Sequence, residues 1–295
     1  MAVLCPESQV PLWQTMNELK QIISYPEKSS ARQIAKLIQE NDMSFESAIC
    51  WEASEAAKAC QRAGIPQRLG YPAKGLDKCL TEPIEVVLKL GPIEHRVRHY
   101  LNLLESLGAK PFVKATFETP PLQPVPARPL IALSAMSEYG VTHQWPVENF
   151  KKLVDIVESQ NGGEGSVDWL ILATEESQTE PLKLMLGNRV QDDAVLWDRK
   201  NILTKLPYCS ALVASDGEVA HMAAHIGLPA VVVFGPNEPE WKRPIGKQSR
   251  FVREHVACSP CYLAKCPLDM RCQNEVSVDR VVKQLQEALA ERHAG

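Results

Sequence analysis

The sequence predicts an α/β protein built as two halves, each a parallel sheet covered by helices on both faces. Three observations predict it. Short apolar segments alternate with segments of helical spacing along the whole chain, the apolar segments of the second half are near-continuous, and a proline-dense stretch interrupts the pattern near the middle.

The first half opens with residues 2–5 and 21–25, which read as short buried strands. Residues 29–40 carry Ile34, Leu37 and Ile38 at helical spacing, with Ser29 or Ser30 placed to cap the helix. A strand over 48–51 leads to a helix over 54–63, stopped by Gly64. Residues 96–107 put Val97, Tyr100, Leu101, Leu104 and Leu107 on one side of a helix that ends at Gly108. From Thr119 to Pro129 there are five prolines in eleven residues, so the segment is neither helix interior nor central strand. The expected organisation is an N-terminal domain over 1–118, a linker over 119–129 and a C-terminal domain over 130–295.

In the second half, 130–133, 169–173, 211–214 and 229–234 read as strands. Helices are expected over 146–159, with Pro146 suited to the first helical position, near 178–186, 201–206 and 218–226, and at the end of the chain. Two such halves joined by a hinge leave a cleft at the carboxyl ends of their strands, where open α/β sheets bind ligands.

Composition narrows the function. The formal net charge of -4 provides no field for drawing in nucleic acid or anionic lipid. No apolar run approaches the ~20 residues of a spanning helix, and the first ten residues lack the pattern of a signal peptide. A cytoplasmic protein, at most peripheral to the inner membrane, is the expectation. Of nine cysteines, Cys5, Cys50, Cys60, Cys79 and Cys209 are scattered in apolar contexts and read as buried thiols. The other four, Cys258, Cys261, Cys266 and Cys272, fall within fifteen residues of one loop over 258–272. Four soft ligands so spaced are a candidate structural zinc site; packing or redox-labile thiols are the competing reading.

Three stretches carry a family resemblance. The segment from Ile131 to Pro146 reads IALSAMSEYGVTHQWP, that from Val213 to Pro229 reads VASDGEVAHMAAHIGLP and is followed by Phe234-Gly235-Pro236, and Gly64 to Tyr71 reads GIPQRLGY. In this order they resemble the signatures of the ADP-heptose:lipopolysaccharide heptosyltransferases, glycosyltransferase family 9, and the Cys-x-x-Cys segment is similar to one that recurs there. The resemblance implies a GT-B architecture: two Rossmann-like domains with parallel sheets facing a central cleft, the acceptor held mainly by the first and the nucleotide-sugar by the second. It implies inverting transfer of heptose or a related sugar from a nucleotide-diphosphate donor to a lipid-linked core saccharide or other glycan, with no metal or other cofactor required for the chemistry. The donor residues it points to are Ser137, Glu138, His143, Asp216, Gly217, Glu218 and His221, with His143 a candidate for stabilising the leaving diphosphate.

The chain departs from the family pattern at three places. The family's catalytic base is an aspartate in a Gly-Asp pair after the first strand, whereas residues 2–5 resemble the second strand, so the first domain reads as incomplete: either the true start lies upstream or the protein lacks the usual base. The lysine of the family's K-x-W-P is His143, a weaker fixed charge. The glycine of its D-S-G is Glu218, whose carboxylate is expected at the helix N-terminus, where it would repel a diphosphate. Without the resemblance, Asp216 and Glu218 read as helix-start residues, the first capping amides and the second answering the dipole. His143 reads equally as a solvent-facing residue, and the cations at Lys242, Arg243 and 247–253 read either as groups facing a diphosphate or an anionic acceptor or, the commoner case, as a solvated basic loop. Two functions stay open: a glycosyltransferase, or a member without turnover that binds a sugar nucleotide or a protein. A nucleic-acid-binding zinc knuckle fits the acidic balance poorly.

Overall fold

The computed structural model describes residues 1–85 and 91–294. It divides into two compact units, Met1–Thr116 and Phe117–Gly295.

The first unit runs β1 (Ala2–Pro6), α1 (Val10–Trp13), β2 (Gln21–Tyr25), α2 (Ala31–Gln39), β3 (Ser47–Ile49), α3 (Glu55–Arg62), β4 (Gln67–Gly70), β5 (Glu82–Pro83) and α4 (Val97–Glu105). Its described strands form a parallel pair, β1-β2, and a parallel trio, β3-β4-β5. Ser30 starts α2 through a capping box: its hydroxyl faces the Gln33 amide, and the Gln33 side chain accepts from the Ser30 N–H at 2.9 Å. Ser54 caps α3 by accepting from the Ala57 N–H. Ile34 and Ile38 of α2 pack with Tyr25, Ala59, Cys60 and Ile65. The stretch GIPQRLGY, which periodicity alone leaves unassigned, contains β4. At Gly70 a Cβ would lie 2.5 Å from the Cys50 carbonyl, so only glycine lets the strands approach there.

The second unit runs β6 (Leu130–Ser134), α5 (Val147–Gln160), β7 (Asp168–Leu172), α6 (Glu180–Leu186), β8 (Val195–Leu196), α7 (Arg199–Lys205), β9 (Ala211–Ser215), α8 (Glu218–His225), β10 (Ala230–Phe234), α9 (Pro239–Lys242), β11 (Ser249–Arg253), α10 (Arg271–Asn274) and α11 (Val278–Ala294). Its six strands are parallel in the order β11-β10-β9-β6-β7-β8. The chain moves outward from β6 to β8, then returns to the other side of β6 as β9. This reversal sets the carboxyl ends of β6 and β9 side by side, in a register that pairs Ser134 with Ala214. It is a topological switch point.

Every residue of β9 and β10 is buried, as expected for strands covered on both faces. One side of the sheet packs Trp145, Phe150, Leu153 and Val157 together with Val281, Val282 and Leu285 of α11. The proline-rich segment lies along this unit: the Gln123 N–H donates to the Pro207 carbonyl at 3.2 Å, and Arg292 donates to the Gln123 carbonyl.

Residues 247–253 correct the expectation of a solvated basic loop, because most of them form the edge strand β11. Its charges are paired: Arg253 with Glu238 at 2.9 Å, and Arg250 with Glu291. A short edge strand tolerates charge that a central strand does not, and this makes it look like a loop in sequence.

Candidate functional site

Ser137, three residues past the end of β6, and Asp216, immediately after β9, meet at the switch point. The Ser137 hydroxyl donates to the Asp216 carbonyl at 2.5 Å and accepts from the Tyr139 N–H at 3.3 Å. A second clamp is formed by Ser215, whose hydroxyl donates to the Ala135 carbonyl at 2.7 Å and accepts from the Trp145 N–H at 2.9 Å. Two loops about 80 residues apart in sequence are thereby fixed as one surface.

Asp216 is 1% exposed and does not cap α8. The N-cap is Gly217, with no side-chain cap bond. Instead one Asp216 carboxylate oxygen accepts from the Asn237 side-chain amide at 2.5 Å, while the other is buried without a protein partner. Burial pushes the carboxyl up to about 6; the Asn237 hydrogen bond and the Lys242 charge oppose that shift, and Glu138 adds to it. A buried acceptor left open is costly unless something fills it.

The anion position at the start of α8 holds Glu138, not Glu218. Although Glu138 is exposed as a residue, its carboxyl end turns in against Gly217, where a Cβ would lie 2.9 Å from Oε2. Loss of water raises its pKa, offset in part by hydrogen bonds from its own and the Glu218 backbone amides. Glu218 is held in a two-pronged pair by Arg199, with Nε to Oε1 at 2.5 Å and Nη2 to Oε2 at 2.8 Å. The expectation that the Glu218 carboxylate occupies the anion position is thus corrected: the guanidinium of α7 meets it in the bidentate geometry that favours such pairs.

His143 is 3% exposed, not solvent-facing. Burial lowers its pKa; a hydrogen bond with Asn237 opposes this and the Lys242 charge reinforces it, so the ring is held toward neutrality. Its ring lies 5.5 Å from that of Tyr139, and Lys242 Nζ sits 4.5 Å from the Tyr139 ring centroid. His221 lies one turn into α8 and is half-buried. Sequence reasoning did not single out Asn237, which touches both Asp216 and His143. Its signal was the position three residues after Phe234, at the carboxyl end of a buried strand next to β9.

The cysteine-rich loop braces this surface. Ser259 donates to the Gly235 carbonyl, the Cys261 and Tyr262 N–H groups donate to Pro236, and the Thr142 hydroxyl donates to Leu263. Gln273, fully buried, donates to the Thr142 carbonyl at 3.2 Å. Burial and then the neighbouring thiols of Cys258, Cys261 and Cys266 push Cys272 up to about 11. Yet no group of three or more His, Cys, Asp or Glu residues among those described is arranged to hold a metal ion. The four thiols are neighbours, but the structure does not gather them as the expected zinc ligand set: Cys258 is exposed and Cys272 is buried.

A concavity of about 690 Å³ lies elsewhere, at the amino ends of β6 and β7. Ion pairs lie along it, Arg128 with Asp168 at 2.7 Å and Arg189 with Asp155 and Glu158. That hollow offers volume, while an open buried acceptor and the switch point favour the carboxyl end. The second criterion is the stronger, because it names groups that lack partners until a ligand arrives.

The description "glycosyltransferase family 9 (heptosyltransferase)" matches residues 105–271, more than half of the chain. The chain belongs to glycosyltransferase family 9. It is 26% identical over 136 residues to lipopolysaccharide heptosyltransferase 2 of Escherichia coli, 43% of this chain and 36% of that protein. To lipooligosaccharide heptosyltransferase 2 of Campylobacter jejuni it is 25% identical over 217 residues, 68% of this chain and 66% of that one. The match to the Haemophilus influenzae lipooligosaccharide heptosyltransferase 2 spans 37% of the relative's length. Among solved structures, E. coli ADP-heptose lipopolysaccharide heptosyltransferase II superimposes with a TM-score of 0.72 at 18% identity, over 98% of this chain and 89% of that one. A family 9 member from Veillonella parvula gives 0.77 at 13% identity, over 98% and 88%. Family 9 membership and the α/β fold of the GT-B heptosyltransferases are thereby established. No helix among the described residues is long and apolar enough to cross a membrane.

Proposed function

We propose that this chain transfers heptose or a related sugar, with inversion, from a nucleotide-diphosphate donor to a lipopolysaccharide-core or other glycan acceptor. The reading rests on Asp216: a fully buried carboxyl at the switch point of the second unit, with one oxygen fixed by Asn237 and the other open. In this reading the second unit takes the nucleotide-sugar. Asp216, the Gly217 and Glu218 amides and Ser137 orient donor hydroxyls and phosphate, and neutral His143 donates a hydrogen bond to the departing diphosphate. Glu138 gives up the α8 amides to the donor when it arrives. Family-level transfer is generally metal-independent, so the protein's own donors and charges stabilise the leaving group. The first unit is the acceptor side, and the work takes place at the inner face of the membrane that carries the acceptor.

Relatives named as heptosyltransferases and a structure of an E. coli heptosyltransferase with ADP support ADP-heptose as the donor to try first. The test is ADP release from ADP-heptose with a heptose-accepting lipopolysaccharide core. Acceptor-dependent release supports the reading. Absence of donor binding overturns it. The replacement of a charged residue by buried, near-neutral His143 favours a second reading, a sugar-nucleotide-binding member without turnover. Tight ADP-heptose binding with no transfer to any core acceptor would select that one.

A further inference from the structure

A diphosphate arriving at the switch point meets a surface short of positive charge. Asp216 and Glu138 are acids, Asn237 is neutral and His143 is buried. Arg199, the guanidinium nearest the start of α8, already forms a two-pronged pair with Glu218. Leaving-group departure from a nucleotide sugar develops negative charge on the diphosphate, and stabilising it calls for a cation or aimed dipoles.

Lys242 answers this need from a different part of the chain. It is the last residue of α9, and its Nζ lies 4.5 Å from the centroid of Tyr139, whose ring in turn lies 5.5 Å from the ring of His143. A cation over a tyrosine face is held in place without losing its charge. The turn that carries it is fixed. Glu238 accepts from the Glu240 N–H at 3.2 Å and pairs with Arg253 at 2.9 Å, Pro239 occupies the first helical turn, and the Lys242 N–H donates to the Glu238 carbonyl at 3.1 Å. Asn237, two residues before Pro239, donates to Asp216 from the same turn. One segment therefore brings both a hydrogen-bond donor and a charge to the crevice where β6 and β9 end.

We infer that Lys242, held over Tyr139, is the residue that binds the donor's diphosphate and stabilises it as it leaves, in place of a charge at position 143. The inference rests on the nucleotide-sugar reading given above. It makes Tyr139 a positioning residue, and it places the charge in the turn after β10 instead of the loop after β6.

The experiment is calorimetric binding of ADP and of AMP to the full chain and to Lys242→Met and Lys242→Arg. A charge-assisted phosphate contact corresponds to about a 10- to 100-fold change in affinity. Lys242→Met is expected to weaken ADP by that factor and AMP by much less, while Lys242→Arg retains most of the ADP affinity. Ligand-free melting temperatures within a few degrees of one another would show that all variants fold. Equal weakening of ADP and AMP, or none, overturns the role of Lys242 and leaves nucleotide binding standing. If the unaltered chain binds neither nucleotide, the nucleotide-sugar reading fails and this inference falls with it.

Discussion

The two ends of the second unit's sheet treat charge in opposite ways. At the amino end, Arg128 meets Asp168 and Arg189 meets Asp155 and Glu158, so acids and bases neutralise one another around a hollow of about 690 Å³. At the carboxyl end, Asp216 is buried with one oxygen open, and His143 is held toward neutrality. Paired charges on a half-exposed rim contribute little and ask for nothing further. Buried, partly satisfied groups carry a cost that a ligand can remove, which is why the carboxyl end is the better site.

The largest effect should come from loosening the clamp that holds the carboxyl end together. Trp145 is fully buried, packs edge-on to Phe150 at 5.0 Å and donates its backbone N–H to the Ser215 hydroxyl. Trp145→Ala should cost about 3–5 kcal/mol in urea unfolding, as large-to-small core changes do. A loss below about 1 kcal/mol would show that the two loops are not held by this packing.

Next is the pH dependence of Asp216. Its carboxyl is raised from 3.8 to about 6, so the folded protein favours the protonated form. That stabilisation is fully present below the unfolded value and is lost as pH rises through about 6. The difference corresponds to roughly 3 kcal/mol across the window. Asp216→Asn should therefore match the wild type below about pH 4 and exceed it by about that amount above pH 6 in denaturant titrations. Identical stability profiles would mean that the carboxylate is as well satisfied as the charges at the other end.

The smallest effect belongs to the amino end. Arg128 and Asp168 are both about half exposed, so Arg128→Ala should change stability by at most about 1 kcal/mol, and less in high salt. A loss well beyond that would give the amino-end hollow a significance that its pairing does not suggest.

Much of the fold was legible because it rests on local rules. The apolar runs at 130–133, 211–214 and 229–234 could only be buried strands, and Ser30 and Ser54 announced their helices. β11 was not legible, since Ser249 to Arg253 has only two adjacent apolar residues between two arginines and resembles a loop until β10 pairs with it. The candidate site was legible in part. Ser137 and Asp216 followed from the family resemblance together with their places after strands, but the hydrogen bond that joins them depends on strand order.

By itself the sequence determined the alternation of strands and helices, the turn that carries Asp216 and the replacement of lysine by His143. Only the tertiary structure decided what those residues face. It set Arg199 against Glu218, moved Glu138 onto the start of α8, and brought Asn237 and Lys242 to the two loops. The physical reason is range. Propensity and periodicity act over a few residues, whereas charge pairing and desolvation depend on which distant segments the sheet order brings together.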